Sequence, residues 1–201
     1  MIKVMLADDQ ALVRGGLAAL LSFESDLEVV AEVGSGDDVV DVARRTRPDV
    51  VLMDVEMPAK DGITATADVT AAIPDVRVLI VTTFGRPGYL RRGLQAGAAG
   101  FVVKDTPARE LAAAIRRVHV GLRVVDPSLA ADSLVSGESP LTTRESEVLR
   151  EARAGGTVSD VAKRMFLSEG TIRNHLSSAI GKTGARNRAE AVTIADNNGW
   201  L

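Results

Sequence analysis

Short apolar runs alternate with helical segments over residues 1–121, and this alternation constrains the fold more than any other feature. The runs are rich in Val, Ile or Leu and mostly lack polar alternation, as strands buried on both faces do. They predict strands at Ile2–Ala7, Leu27–Val33, Asp49–Asp54, Val76–Thr82 and Ala99–Val103. Apolar residues at helical spacing predict helices near 10–23, 36–46, 62–72, 86–96 and 107–120. These βα units predict an α/β fold with a doubly wound, five-stranded parallel sheet, for which we expect the flavodoxin-like order 2-1-3-4-5.

The remaining residues divide into a linker and a second, all-α domain. Residues 122–138 lose the helical periodicity and mix Asp126-Pro127-Ser128 with further serines, as is typical of a linker or hinge. Four short helices are expected after residue 139. The residues that signal their starts are Thr142 with Glu145, Thr157, Ser168, and Asn187 with Glu190. We therefore predict a first domain at 1–121, a linker at 122–138 and a small four-helix domain at 139–201.

Length and composition limit the chemistry of the chain. Its 201 residues suit one ordinary domain and one small domain. There is no cysteine, so any metal must bind oxygen or histidine ligands. No secretory leader or membrane-spanning run is recognisable, and we expect a soluble, cytoplasmic protein without membrane insertion. Residues 139–201 hold nine basic and seven acidic side chains, and this +2 region is the candidate for nucleic-acid binding.

Charged and hydroxyl side chains follow four of the predicted strands. Asp8 and Asp9 come after the first strand, Asp54 ends the third, Thr82 ends the fourth and Lys104 follows the fifth. In an open α/β sheet the carboxyl ends of the strands form the ligand site, at the point where the strand order reverses. In the expected order this point lies between the first and third strands. We therefore expect the five side chains to share one site.

The expected site suits phosphoryl transfer with Mg²⁺ as the cofactor. Three neighbouring carboxylates repel one another unless a divalent cation neutralises them, and Mg²⁺ prefers such oxygen ligands. The metal would also hold a phosphoryl group in line with an attacking carboxylate, which makes Asp54 the expected nucleophile. Phosphoryl transfer depends mainly on positioning and charge neutralisation. Lys104 and Thr82 supply the ammonium and the hydroxyl for these purposes.

The same residues resemble the receiver domain of bacterial two-component response regulators. The matching positions are Asp8-Asp9, Asp54 with Met57-Pro58 and Gly62, Thr82, and Phe101-Val102-Val103-Lys104. The resemblance implies that Asp54 accepts a phosphoryl group from a sensor histidine kinase. It also implies that Asp9, Asp54 and the backbone carbonyl of Glu56 bind Mg²⁺, with Asp8 acting through water. Thr82 and Phe101 would be the switch residues.

The acidic residues and their neighbours also allow three alternative interpretations. In the first, these residues have only structural roles. Asp8 and Asp9 alone would complement a helix dipole. Thr82 alone is a common β-former, and a lysine such as Lys104 is usually solvated. The second is a Mg²⁺-dependent phosphohydrolase with Asp54 as nucleophile, although it would need a water-activating acid where the chain has Glu56. The third is a regulator that works without phosphorylation.

The C-terminal residues have the order of a helix-turn-helix. A short helix is predicted at Val158–Phe166, a turn at Leu167-Ser168 and a longer helix from Gly170. In this motif the second helix enters the major groove of DNA. The residues expected to reach base edges are Arg173, Asn174 and Ser177, and those expected to contact phosphates are Lys163, Arg164, Lys182 and Arg188. A generic helical packing module is the alternative, which the modest +2 charge alone would favour.

Residues 139–201 resemble the LuxR-type domain of NarL/FixJ-class response regulators. The matching segments are Leu-Thr-x-Arg-Glu at 141–145, Leu-Ser at 167–168, Thr-Ile-Arg-x-His at 171–175 and Arg-x-Glu-Ala at 188–191. Residues 83–90 and 199–201 are similar to a DesR-like subgroup. Together the resemblances imply a transcriptional regulator, not a turnover enzyme, that forms a homodimer and binds double-stranded operator DNA when phosphorylated. We expect dimerisation through the helices near 10–23 and 107–120.

Overall fold

The computed structural model describes residues 1–83, 87–135 and 139–201, with the exception of the side chains at 87 and 132–135. The chain divides into two compact units, one made of Met1–Gly85 and Tyr89–Asp132 and the other of Arg86–Gly88 and Ser133–Leu201. Each unit has its own apolar core. Within the described ranges, every helix is too short or too polar to cross a lipid bilayer.

A parallel sheet of six strands forms the centre of the first unit. The strands are β1 (Ile2–Ala7), β2 (Leu27–Val33), β3 (Val50–Asp54), β4 (Arg77–Thr82), β5 (Gly100–Val103) and β6 (Val124–Val125). Their order is β2-β1-β3-β4-β5-β6. The predicted α/β fold and the order of the first five strands are confirmed. The prediction of five strands was wrong, because Val124–Val125 pairs with Gly100 and Phe101 at the edge of the sheet.

Five helices connect the strands of the first unit. They are α1 (Ala11–Leu21), α2 (Val39–Thr46), α3 (Gly62–Ala72), α4 (Pro87–Gln95) and α5 (Ala108–His119). All five lie within the segments predicted from helical periodicity. Arg116 of α5 pairs with Glu24 and Asp26, both at 2.6 Å, and thereby joins this helix to the loop before β2.

The sheet separates two apolar cores, because successive side chains of a strand point to opposite faces. Met5 and Met53 belong to the core on one face, and Leu6 and Leu52 belong to the core on the other. The central strand β3 is buried along its whole length, as predicted. The edge strand β2 is only partly buried over residues 29–31, so the prediction of burial on both faces does not hold for it.

Residues 124–135 contain regular structure where a linker without periodicity was expected. After β6 comes α6 (Pro127–Val135). The Asp126 carboxylate accepts hydrogen bonds from the backbone amide and the hydroxyl of Ser128, at 2.8 and 2.5 Å, and so caps this helix. A strand of two residues is too short to show a sequence period. The linker positions 136–138 lie outside the described residues, and the predicted domain boundaries stay a prediction.

Within the described residues 139–201, the second unit contains four helices, as expected. They are α7 (Thr143–Arg153), α8 (Val158–Met165), α9 (Glu169–Thr183) and α10 (Arg188–Asn197). Thr142, Thr157, Ser168 and Asn187 cap them with side-chain hydrogen bonds. The capping box expected at Asn187 and Glu190 is only half formed, because the Glu190 carboxylate accepts from the Arg186 amide at 2.7 Å. Val148, Leu149 and Val161 are fully buried in the core between these helices.

Candidate metal centre and nucleic-acid interface

The carboxyl ends of β1 and β3 bring three carboxylates together. Asp54 is the last residue of β3, and Asp8 and Asp9 follow β1 directly. One oxygen of each carboxylate lies within 4.8 Å of the other two. Asp8 and Asp54 are each only 3% exposed, whereas Asp9 is exposed to solvent. The structure therefore brings together the three acids that the sequence predicted to share a site where the strand order reverses.

Lys104, which follows β5, reaches into this group of acids. Its Nζ lies 2.7 Å from Asp8 Oδ2 and 2.9 Å from Asp54 Oδ2. Both distances are those of close, charge-assisted contacts, and all three side chains are largely buried. One ammonium does not neutralise three carboxylates. The site therefore keeps an excess of negative charge.

Burial raises the pKa of Asp54 above its usual range, because the carboxylate loses hydration inside the protein. The Lys104 ammonium acts in the opposite direction without cancelling this effect, and the charge of Asp8 adds to it. Burial alone would lower the pKa of Lys104, but its contacts with Asp8 and Asp54 outweigh burial and raise that pKa. Lys104 is therefore a cation at neutral pH, and a further cation at the site would favour the ionised form of Asp54.

The donor set at this site fits Mg²⁺. This ion takes hard oxygen ligands, usually one or two carboxylates together with waters and phosphate oxygens. Asp9 offers an exposed carboxylate and Asp54 a buried one, and the two lie close enough to bind one ion. Glu56, the source of the predicted carbonyl ligand, lies in the loop after β3 with its side chain exposed. Bound Mg²⁺ would relieve the repulsion among these carboxylates.

A glycine fixes the start of α3 against the strand end that carries Asp54. A side chain added at Gly62 would overlap the Asp54 carbonyl oxygen, so only glycine permits this close approach. The Gly62 amide donates to the Val55 carbonyl at 2.9 Å. Asp61 caps the helix by accepting from the amides of Ile63 and Thr64, at 3.0 and 2.9 Å. The loop after Asp54 is therefore held at both of its ends.

Thr82 and Phe101, the predicted switch residues, lie on neighbouring strands. Thr82 ends β4 and is 2% exposed, and Phe101 in β5 is fully buried. The Thr82 carbonyl accepts a hydrogen bond from the Lys104 amide at 2.7 Å, which joins the two strand ends. Gly93 of α4 packs against the Phe101 ring so closely that an added methyl group would overlap it. This last contact could not be predicted from the sequence, because a glycine inside a helix carries no signal for what it packs against.

Arg14 of α1, like Gly93, is a residue near the site that the sequence did not predict there. Its Nη1 donates a hydrogen bond to the Asp8 carbonyl at 2.6 Å, and its Nε lies 3.3 Å from Glu32 Oε2. An isolated arginine in a helix is usually solvated, so the sequence pattern alone offered no reason to place it beside the acids.

In the second unit, α8 and α9 form the predicted helix-turn-helix. Ile172 faces the core of the unit and is fully buried. Arg173, Asn174 and Ser177 are exposed on the other side of α9. The Ser168 hydroxyl accepts from the Thr171 amide at 3.1 Å and fixes the first turn of this helix. The outward face of α9 therefore carries the side chains that the sequence predicted for base contacts.

The four basic residues predicted to contact phosphates differ in their present partners. Lys163 is exposed and forms no ion pair with another described residue. Arg164 pairs with Glu151 at 2.9 Å, and Arg188 donates to a backbone carbonyl at 2.9 Å. Lys182 is paired with a buried carboxylate. Lys163 is therefore the most available of the four for a phosphate.

Glu145, predicted only as a capping residue, is the centre of a buried network between α7 and α9. It is 4% exposed and accepts hydrogen bonds from Ser178 at 2.6 Å and from Lys182 at 2.7 and 3.0 Å. It also accepts from the Thr142 amide at 2.7 Å. Burial works against its charged form, but the bonds from Lys182, Ser178 and Thr142 outweigh burial and lower the pKa of Glu145 to about 2.

Family models match both units. The response regulator receiver domain matches residues 4–116, and the bacterial regulatory proteins of the luxR family match residues 139–195. The chain belongs to the response regulators with a LuxR-type DNA-binding domain. The first match spans the three acids and Lys104, and the second spans the helix-turn-helix.

This response regulator is similar to known proteins over its whole length. It is 40% identical to the transcriptional regulatory protein DesR of Bacillus subtilis over 201 residues, 100% of each chain. It is 33% identical to the response regulator ChrA of a heme-sensing two-component system, with a TM-score of 0.61 over 100% of this chain and 98% of ChrA. A structure of two RcsB dimers bound to two parallel DNAs matches with a TM-score of 0.72 and 25% identity, covering 98% of each chain.

These findings confirm that the chain is a DNA-binding transcriptional response regulator of the NarL/FixJ class. They do not support the phosphohydrolase alternative, because the matched family consists of transcriptional regulators and not of turnover enzymes. The match to DesR agrees with the subgroup suggested by residues 83–90 and 199–201, of which 84–86 lie outside the described residues.

Proposed function

We propose that phosphorylation of Asp54 switches this response regulator, with a sensor histidine kinase as the phosphoryl donor, and that the phosphorylated form binds operator DNA as a homodimer. The observation that carries the proposal is the convergence of Asp8, Asp9, Asp54 and Lys104 at the carboxyl edge of the sheet. A receiver domain implies a kinase partner, and the LuxR-type domain implies double-stranded DNA.

Asp54 is the phosphoacceptor in this proposal. A carboxylate oxygen of Asp54 forms a bond to phosphorus as the bond from phosphorus to the donor's histidine nitrogen breaks, and the electron pair of that bond stays on the nitrogen. Lys104 lies 2.9 Å from Asp54, where its ammonium can stabilise the new phosphoryl oxygens. Thr82, at the end of the next strand, supplies a hydroxyl for the same group.

Asp9, Asp54 and the Glu56 carbonyl would hold Mg²⁺, with Asp8 contributing through water. The ion neutralises charge on the carboxylates and on phosphate oxygens when it is bound. Asp8 is held from two sides, because its Oδ2 contacts Lys104 at 2.7 Å and its Oδ1 accepts from the Gln10 amide at 2.8 Å. The exposed Asp9 leaves the solvent side of the site accessible to a donor.

Thr82 and Phe101 would transmit the change. A phosphoryl group adds roughly 1.5 to 2 negative charges and three acceptor oxygens at the strand ends, to which the Thr82 hydroxyl can turn. Space released by that movement is available to the Phe101 ring, which lies on the neighbouring strand. A modification that contributes about 2–3 kcal/mol would shift the equilibrium between two receiver conformations by roughly 30- to 150-fold.

The outward face of α9 is the proposed DNA-reading surface. Arg173 can donate to guanine, Asn174 can pair with adenine, and Ser177 can bond to either. Contacts with phosphates come from the basic residues around the motif, which are Lys163, Arg164, Lys182 and Arg188. Arg173 pairs with Glu169 at 2.6 Å in the free protein, so it must exchange that partner for a base. The RcsB complex supports the mode of binding as dimers on DNA.

Dimerisation and location follow from the same proposal. A dimer presents two copies of α9, the recognition helix, to the two half-sites of an operator. We propose α1 and α5 as the dimerisation surface. The receiver, linker and DNA-binding domains are proposed at 1–121, 122–138 and 139–201. Because the proposed function is to bind DNA, we propose a cytoplasmic location for the protein.

Light scattering and DNA mobility shifts on the same samples test this function. The full chain, incubated with acetyl phosphate and Mg²⁺, should change from monomer to dimer at micromolar concentration. It should also bind the DNA upstream of its own gene more tightly. Asp54→Asn should stay monomeric under the same conditions, because an amide does not form the acyl phosphate. A phosphorylated chain that stays monomeric, or an Asp54→Asn chain that dimerises equally on addition of acetyl phosphate, would contradict the proposal.

A further inference from the structure

Arg14 of α1 lies beside the acidic site without belonging to its predicted ligands. Its side chain is 20% exposed, and its Nη1 donates to the Asp8 carbonyl at 2.6 Å. We propose that Arg14 is a positioning residue for the metal-binding acids: it fixes the peptide that joins Asp8 to Asp9 and thereby sets the affinity of the site for Mg²⁺. The inference rests on the proposed function, because it concerns the same acids.

The other polar groups of Asp8 already have partners. Its amide donates to the Val33 carbonyl at 3.1 Å, its Oδ1 accepts from the Gln10 amide at 2.8 Å, and its Oδ2 contacts Lys104 at 2.7 Å. The carbonyl is the remaining group, and it accepts from the Arg14 guanidinium at 2.6 Å. Arg14 therefore completes the set of contacts that determine how Asp8 is oriented.

The Asp8 carbonyl belongs to the peptide group that leads into Asp9. Rotation about the Cα–C bond of Asp8 would turn this carbonyl and, because the peptide is planar, would move the Cα of Asp9 with it. Asp9 is exposed and lies after β1, beyond the sheet pairing that ends at Ala7. Its direction thus depends on the peptide before it. A guanidinium bound to that carbonyl restricts the rotation and keeps Asp9 directed toward the other two acids.

The chemistry of arginine suits this role better than that of lysine. The guanidinium carries donors in a rigid, planar arrangement and stays charged. One end contacts the Asp8 carbonyl while Nε lies 3.3 Å from Glu32 Oε2 on β2, so the side chain is held from two directions. Lysine presents all of its donors from a single nitrogen at the end of a flexible chain, so it cannot reach the Asp8 carbonyl and Glu32 with the same rigid spacing. Interactions behind metal ligands of this kind change metal affinity by about tenfold or more when they are removed.

The Mg²⁺ dependence of phosphorylation by acetyl phosphate tests the role of Arg14. We expect Arg14→Met in the full chain to raise the Mg²⁺ concentration for half-maximal rate about tenfold, while saturating Mg²⁺ restores most of the rate. Arg14→Lys should give a smaller increase. Arg44→Met is the matched control, since Arg44 has a 59% exposed side chain on α2 and pairs only loosely with Asp41, at 3.8 Å. It should behave as wild type.

Three results would overturn the inference. They are an unchanged half-saturating Mg²⁺ concentration in folded Arg14→Met, a reduced rate that saturating Mg²⁺ does not restore, and a rise equal to that of Arg44→Met. If Arg14→Met does not fold, as judged by circular dichroism, Arg14→Lys decides by the same criteria. Failure of the proposed function has a separate signature, because wild type and Arg44→Met would then take up no phosphoryl group.

Discussion

The ammonium of Lys182 in α9 contacts both carboxylate oxygens of Glu145 in α7, at 3.0 and 2.7 Å. Lys182 was predicted to contact DNA phosphates, and its side chain is 36% exposed, whereas that of Glu145 is only 6% exposed. The pair joins the recognition helix to the first helix of the same unit. Glu145 therefore stabilises the position of α9, and a phosphate contact by Lys182 would compete with this internal partner.

The network around Glu145 predicts a pH-dependent stability for the second unit. The pKa of Glu145 is lowered from 4.5 to about 2 in the folded protein. A group with a lowered folded-state pKa contributes stability above its unfolded pKa and loses that contribution as the pH falls through the folded value. The contribution of Glu145 should therefore be complete above about pH 4.5 and be lost toward pH 2.

Glu145→Gln tests this prediction. Because the partly exposed Lys182 is screened by solvent, we expect a loss of roughly 2 kcal/mol at pH 7, less than the full shift implies. Urea unfolding can be followed by Trp200, the sole tryptophan, which packs against the core of the second unit. The difference from wild type should shrink as the pH approaches 2. Glu151→Gln, in a surface pair with Arg164, is the control, and an equal effect of both variants would contradict the stabilising role of Glu145.

The exposed position of Lys163 leads to a prediction for how strongly DNA binding depends on salt concentration. It is exposed and unpaired among the described residues, so its ammonium is available to a phosphate without breaking an internal bond. Each neutralised phosphate contributes about 0.9 to the slope of log K against log salt concentration. Lys163→Ala should therefore reduce that slope by about one without changing the unfolding midpoint. Arg44→Ala in the first unit serves as the control, and equal slopes for Lys163→Ala and wild type would exclude the contact.

The close packing of Gly93 on Phe101 predicts that a larger side chain at position 93 will destabilise the first unit. A methyl group at this position would overlap the ring, so Gly93→Ala should destabilise the first unit by about 1–3 kcal/mol. Gly16→Ala is the matched control, because that glycine of α1 has no neighbouring atom within 4 Å of an added methyl group, and the change should stabilise by up to about 1 kcal/mol. Phe101→Leu should reduce the cost of Gly93→Ala. Additive effects in urea unfolding of the double variant would show that the two sites are independent.

The sequence predicted the elements that carry long local patterns. The strands β1 to β5 are apolar runs, and Asp8, Asp54 and Lys104 could be assigned to one site because each is next to a strand end. By contrast, Val124–Val125 joins the sheet only through its pairing with β5. Two residues are too few to show a strand pattern in the sequence. Glu145 and Lys182 are 37 residues apart, and their pairing depends on how α7 packs on α9. Arg14 acts through a backbone carbonyl, which has no sequence signature.

Intact-mass spectrometry of the full chain with acetyl phosphate and Mg²⁺ tests the phosphorylation of Asp54 most directly. We predict that wild type gains the mass of one phosphoryl group, that Asp54→Asn gains none, and that Asp41→Asn, which changes an exposed acid of α2, behaves as wild type. Fragmentation should locate the added group on Asp54. Equal phosphorylation of wild type and Asp54→Asn, or no phosphorylation of wild type, would contradict the proposed switch.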